Sequence, residues 1–158
     1  LLRREGEQRV QTAVVAALDA QGRPAPGSEK TFEVDTVCLA VGLSPAAELA
    51  AMAGAATAYV AALGGWVPLH DATMRSTLPW LYVAGDAAGV EEISAAMLCG
   101  RLAGVDIARR VGLGAAEADA LETRLRQQLD LSRSGPYGEP RARAHQHLLE
   151  QYRRLPSQ

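Results

Sequence analysis

Gly85 and Asp86 are the residues whose types and spacing point most directly to chemistry. They end the run Thr77-Leu78-Pro79-Trp80-Leu81-Tyr82-Val83-Ala84-Gly85-Asp86-Ala87-Ala88-Gly89. Residues 81–84 read as a short apolar strand and residues 91–110 as a helix. A strand that stops on Gly-Asp just ahead of a helix offers three things at one point. These are a close backbone approach at Gly85, a carboxylate acceptor at Asp86 and a row of unpaired helix N–H groups beyond. That combination suits a ligand with a polyhydroxylated chain and an electron-rich ring.

Other residue pairs invite chemistry less convincingly. His70 adjoins Asp71, as a general base adjoins its orienting acid, but the reading puts both in a surface turn with no nucleophile at hand. His145 and His147 lie two apart on an expected helix, so they face different sides and make a poor metal pair. Cys38 and Cys99 sit in apolar surroundings without a C-x-x-C spacing. They read as small buried hydrophobes in a reducing, cytoplasmic setting, with no redox dithiol, zinc or iron-sulfur site. No catalytic residue and no metal ligand is assigned.

The elements that must position the Gly-Asp turn follow from periodicity and punctuation. Residues 9–18, rich in Val and Thr, read as a strand, and residues 30–34 as its return across a Gly- and Pro-rich loop at 21–28. The apolar run at 35–41, ending at Gly42, reads as a strand buried on both faces of a parallel sheet. Ser44 and Pro45 would open a short helix over 46–53 that stops at Gly54. Short extended pieces are expected at 58–62 and 66–69, and a turn at 70–73. In the 91–110 helix, Ile93, Met97, Gly100, Gly104 and Ala108 share one face, small enough to pack closely on a sheet or a bound ring. Leu121, Leu125 and Leu129 mark an amphipathic helix over 115–131. After a break at 134–138, a further helix runs from 139 or 140 to 154, with Leu148, Leu149 and Tyr152 on its apolar side.

The chain has 158 residues and a formal net charge of -2, enough for a real core and a poor match to a nucleic-acid or anionic-membrane partner. Its arginines are interleaved with acids, as on a solvated helix face. No apolar run approaches the roughly 18 residues of a membrane span. The phosphate-binding fingerprint G-x-G-x-x-G is absent; Gly112-Leu113-Gly114 follows a helix and reads as its stop. With Leu1 as its first residue, the chain is expected to be the C-terminal piece of a longer protein whose phosphate-binding half lies upstream.

Three segments in order resemble the pyridine nucleotide-disulfide oxidoreductase-like superfamily of flavoproteins with two dinucleotide-binding domains. The first, Glu33 to Pro45, resembles the exit strand D-x-V-x-x-A-x-G-x-x-P. The second is Leu63-Gly64-Gly65-Trp66-Val67-Pro68 with Asp71, Met74 and Thr77. The third runs from Leu81 to Gly104 through Gly85-Asp86. The wording is most similar to a branch containing sarcosine oxidase alpha subunits, opine oxidases, dye-linked proline dehydrogenases and hydrogen cyanide synthase. Several of its members carry a cysteine-rich iron-sulfur segment near the C-terminus; no cysteine follows Cys99 here.

The resemblance implies an α/β fold divided as 1–43 for the end of an NAD(P)-binding domain, 44–111 for the C-terminal segment of an FAD-binding domain and 112–158 for a helical tail. It implies FAD as cofactor, with NAD(P) in the complete protein. Asp86 would accept the ribityl hydroxyl and Gly85 would allow close approach. The helix start at Glu91, Glu92 and Ile93 would aim its amides at the flavin pyrimidine edge, although Glu91 and Glu92 equally suit macrodipole compensation. Trp66 and Trp80 would flank the flavin or pack in a core or a domain interface, and Asp71, Met74 and Thr77 would line the flavin or simply shape the fold.

The activity implied is coupling of a flavin to NAD(P)H or to amine or imino-acid oxidation of a small molecule, inactive in this piece alone. Disulfide reduction is the alternative within enzymes. A scaffold or assembly subunit that docks a partner through 115–154 is the alternative outside them. Unpaired strand edges in the isolated piece would favour a homodimer and weak or absent FAD binding.

Overall fold

The computed structural model describes residues 1–136 and 138–156, with Ala115 and Ala116 described by backbone alone. Tyr137, within the expected break, lies outside the described residues. The chain forms two compact units, Leu1–Val41 and Gly42–Gln158.

The first unit is a three-stranded antiparallel sheet in the order β1-β2-β3, with β1 at Arg3–Glu5, β2 at Thr12–Val15 and β3 at Lys30–Glu33. The central strand carries β-branched Thr12, Val14 and Val15 and buries Ala13 and Val14, as a half-buried pleated strand should. Its register sets Ala13 opposite Arg4 and Phe32. A Cβ at Gly6 would lie 1.9 Å from the Arg9 carbonyl oxygen, so only glycine fits the β1–β2 turn. The loop before β3 is built by Asp19, whose Oδ1 accepts the N–H groups of Gln21 and Arg23 at 2.9 and 2.8 Å. The expected hairpin is present, with its first strand shortened from 9–18 to Thr12–Val15. β1 was not expected, because three charged residues show no alternation.

The expected strand at 35–41 is absent. Residues 36–47 adopt no helix or strand, and Leu39 and Val41 are 66% and 88% exposed. An apolar run states a preference for burial, whereas a strand exists only through hydrogen bonds to neighbours, and none of the described strands pairs with this run. Cys38 is therefore exposed rather than buried, while Cys99 is buried as expected. All ladders among the described strands are antiparallel, so no parallel sheet forms there.

In the second unit α1 covers Glu48–Met52, β4 Thr57–Val60, β5 Gly65–Pro68, α2 Ile93–Arg110, α3 Ala115–Ser132 and α4 Glu139–Arg154. α1 starts later than expected, and Ala47 rather than Ser44 is its N-cap. The Ala46 N–H is spent on the Asp86 carbonyl at 3.1 Å, which ties the segment ahead of the helix to the Gly-Asp turn. β4 and β5 form an antiparallel hairpin around a 3-10 turn at Ala61–Leu63.

Two apolar clusters hold this unit. The larger sets Cys99, Leu102, Ala103 and Val105 of α2 with Leu125 and Leu129 of α3, alongside Met74 and Val83. The smaller sets Ala144 and Leu148 of α4 with Val60, Leu63, Val67 and Leu69 of the hairpin. Leu63, Leu102, Leu125 and Leu148 are fully enclosed, and each such side chain stabilises by about 1.5–3 kcal/mol. The periods read for α3 and α4 thus correspond to buried faces that close the core. At the α2–α3 corner Arg109 reaches Asp119 at 2.8 Å and Glu122 at 2.9 Å. No helix among the described residues is long and apolar enough to cross a membrane.

Candidate functional site

The Gly-Asp turn is reached through a loop that folds on its own hydrogen bonds. Asp71 Oδ1 accepts the Thr73 N–H at 2.8 Å, the Thr73 hydroxyl at 2.7 Å and the Arg75 N–H at 3.1 Å, so its carboxylate shapes the 70–76 turn. Met74 sits at φ 69 inside that turn, buried, with its carbonyl accepting the Val83 N–H at 2.9 Å. A left-handed Met costs local strain, which the two flanking hydrogen bonds and the burial offset. Thr77 Oγ1 accepts the Ala56 N–H at 2.9 Å. All three residues weighed as flavin-lining groups make hydrogen bonds within the fold.

Residues 81–84 run along this turn without forming the expected strand. One isolated bridge, Arg75 with Tyr82, is all the ladder present. A single bridge suffices to aim the chain, and Ala84 is still fully extended at φ -149 and ψ 163. The backbone then reverses at Gly85, φ 63, into a 3-10 turn over Gly85–Ala88. A Cβ at Gly85 would meet only the Ala96 Cβ at 3.7 Å, an ordinary contact. The glycine is required by its dihedral rather than by a close neighbour.

Asp86 rides on this turn with its backbone fixed and its side chain free. Its carbonyl accepts Ala46 N–H at 3.1 Å and Gly89 N–H at 3.4 Å. Its carboxylate is exposed and has no hydrogen bond or ion pair among the described residues. The expected helix start at 91 is corrected to Ile93. Gly89 at φ 125 breaks the turn, and Val90 donates to the Leu63 carbonyl at 2.9 Å, which holds the chain extended until Glu92, the N-cap. No side chain caps α2, so its first N–H groups face outward without a side-chain acceptor. Ile93 and Met97 are 80% and 65% exposed, and Gly100 and Gly104 beside them are exposed too. Thus Asp86, Glu92, Ile93 and the glycines of the small-residue stripe lie at the surface, with Gly85 half-buried beneath them, away from the α2 face that packs the core.

Glu91 does not share that surface. Its carboxylate, 6% exposed, is gripped by Arg133 through Nε–Oε1 at 2.8 Å and Nη2–Oε2 at 2.7 Å, with His145 Nε2 3.2 Å from Oε2. Burial alone would raise its pKa, but the His145 imidazole and the Arg133 guanidinium outweigh it and hold the carboxyl at about 2. Sequence reasoning weighed Glu91 only as part of the helix start; its partners lie 42 and 54 positions away and leave no local signal. Arg133 also approaches the Cys99 sulfur at 3.8 Å, and burial pushes that thiol up to about 11. Cys99 is an inert core group.

His70 is buried at 3% exposure, not on a surface turn. Its Nδ1 donates to the Asp71 carbonyl at 2.9 Å, while the Asp71 carboxylate is engaged with Thr73 and Arg75. The adjacent pair therefore does not form a carboxylate-oriented base. His145 is buried and His147 is exposed on α4, bonded to Gln151, so the two diverge as the spacing requires. Trp66 and Trp80 are 60% and 69% exposed, so neither packs a core; Trp66 meets Tyr59 edge-on at 5.8 Å. On α2, Asp106 accepts hydrogen bonds from Tyr82 and Arg110. Burial would raise its pKa, but these donors keep it below the usual carboxylate range.

A free carboxylate on a glycine-led turn, an uncapped helix start and an exposed stripe of small residues fit a cofactor that offers hydroxyls to Asp86 and a flat ring to α2. No curated protein and no solved structure matches the chain. Residues 4–100, more than half of the chain, match the pyridine nucleotide-disulphide oxidoreductase family, and the chain belongs to that family.

Proposed function

We propose that Gly85, Asp86, Glu92 and Ile93 form part of the FAD site of an oxidoreductase. The observation that carries this reading is the Asp86 carboxylate, held out on a fixed 3-10 turn with no partner among the described residues. Its role is to accept a hydrogen bond from the ribityl chain, while Gly85 keeps the space above the turn clear. The start of α2 presents its partial positive charge to the pyrimidine edge of the ring, and Glu92 and Ile93 border it. Bound FAD would supply two-electron redox chemistry, with NAD(P) as its partner in the complete protein. The residues of this chain bind and orient; none that moves a proton is assigned.

Residues 1–43 then close an NAD(P)-binding domain, residues 44–111 complete the FAD-binding domain and residues 112–158 brace it. The electron donor is NAD(P)H or a small amine or imino acid. Disulfide reduction is the alternative within enzymes, and a C-x-x-C elsewhere in the complete protein would favour it. A scaffold role built on α3 and α4 is disfavoured by the burial of their apolar faces in the chain's own core. The free thiols of Cys38 and Cys99 suit a cytoplasmic setting. Exposed Leu43, Leu49 and Met52 support self-association of the isolated chain into a homodimer.

The test is the absorbance spectrum of full-length protein before and after anaerobic addition of NADH or NADPH. Flavin bands lost or weakened in Asp86→Ala, and bleached in wild type by one nucleotide, are expected. Folded wild type without flavin bands after FAD reconstitution would overturn the reading.

A further inference from the structure

We infer that Arg133 and His145 are positioning residues for the start of α2, acting through Glu91. This role rests on the flavin reading of Asp86 and the α2 start. Glu91 immediately precedes the N-cap Glu92, and α2 has no side-chain cap of its own. What fixes its first turn must come from elsewhere. Just ahead of it, Val90 donates to the Leu63 carbonyl at 2.9 Å. Next, the Glu91 carboxylate is forked by Arg133 at 2.8 and 2.7 Å and approached by His145 at 3.2 Å. Arg133 is the C-cap of α3, and His145 projects from the second turn of α4. Three elements thus converge on one carboxylate, with side-chain exposures of 14% for Arg133 and 6% for both Glu91 and His145.

A planar fork in a shielded site specifies position as well as charge, which a lone lysine contact would not. Asp86 precedes Glu91 by only five residues, so the clamp and the free carboxylate bracket the same short segment. Both braces lie beyond residue 100, where the family match ends. The two C-terminal helices therefore set the helix start that the family segment uses. The charge also matters. Arg133 compensates Glu91 beside the helix start, and without it the carboxylate keeps only the His145 contact at 3.2 Å. That disfavours the negative charge gained by a cofactor on reduction.

The experiment measures FAD affinity by fluorescence titration and the flavin midpoint potential in full-length protein, after circular dichroism has established folding. Arg133→Met is expected to weaken FAD about tenfold and to lower the midpoint potential. Arg133→Lys keeps the charge and loses the fork, so affinity falls less and the potential holds. His145→Gln weakens FAD in the same direction as Arg133→Met, by a smaller factor. The double variant Glu91→Gln/Arg133→Met binds no more weakly than Arg133→Met alone, because the two groups act through each other. Where Arg133→Met does not fold, Arg133→Lys carries the test, and unchanged affinity there overturns the inference. Wild-type-like affinity and potential in Arg133→Met, with FAD weakened by Asp86→Asn, overturns the positioning role and leaves the flavin reading intact. Folded wild type that takes up no FAD overturns both.

Discussion

The rings of His70 and His145 lie 6.2 Å apart at a tilt of 50°, both buried, and join the turn before Gly85 to the helix α4. The first consequence is acid lability in two steps. Burial, the largest influence, drives the His70 pKa from 6.5 to about 4, with His145 and Arg133 adding positive charge nearby and the Asp71 carbonyl and carboxylate opposing them. The unfolded chain therefore takes up this proton more readily than the folded one. Stability is unaffected above pH 6.5, falls as pH drops from 6.5 to about 4 and levels off below, a loss of ~3 kcal/mol for this group. Glu91 adds a second window. Its folded pKa of about 2 against 4.5 unfolded gives stability that is complete above pH 4.5 and lost towards pH 2, again by ~3 kcal/mol. Thermal melts of wild type and His70→Asn across pH 3–8 check this. The Asn keeps a donor for the Asp71 carbonyl, and the slope between 6.5 and 4.5 should vanish; an unchanged slope would place the titrating group elsewhere.

A second expectation separates two glycines of the site. Gly85 at φ 63 needs a left-handed backbone but has room for a methyl group, whose nearest neighbour would be 3.7 Å away. Gly85→Ala should cost about 1–2 kcal/mol, the dihedral penalty alone. Gly89 at φ 125 would in addition drive a Cβ to 3.1 Å from the enclosed Leu63 side chain. Gly89→Ala should cost more than Gly85→Ala, by about 1–3 kcal/mol of overpacking. Urea denaturation of both variants decides it. Equal losses would mean that Leu63 yields without cost.

The site was legible to the extent that its signals were local. Gly85 and Asp86 announce a turn by residue type, and the turn is there, because a dihedral that only glycine adopts readily leaves its mark in one position. The α3 and α4 periods were legible for a similar reason, since Leu125 and Leu148 each sit where a 3.6-residue repeat must face inward. The strand at 35–41 was misread because pairing depends on a neighbour that the run itself does not encode. The polar turn around His70 reads as surface, yet α4 arrives 75 positions later and packs beside it. Glu91 hid its partners in the same way: a buried ion pair couples distant residues and imposes no pattern on either stretch.

The last expectation concerns whether α4 is appended to the fold or belongs to it. Leu148 is fully enclosed among Val60, Leu63, Val67 and Leu69, whereas Leu131 on α3 is 73% exposed. Removing a buried leucine loses its transfer energy and leaves a cavity, so Leu148→Ala should cost about 2–5 kcal/mol, and Leu131→Ala no more than about 0.5 kcal/mol. The same loss should propagate to the site. α4 supplies His145 to the Glu91 cluster, and a loosened α4 should speed amide hydrogen exchange at Val90, whose N–H is bonded to Leu63, one of the residues Leu148 packs with. Exchange measured by mass spectrometry on Leu148→Ala tests that link. Faster exchange confined to α4 itself, with the peptide around Val90 unchanged, would show that the helix covers the hairpin without bracing the approach to α2.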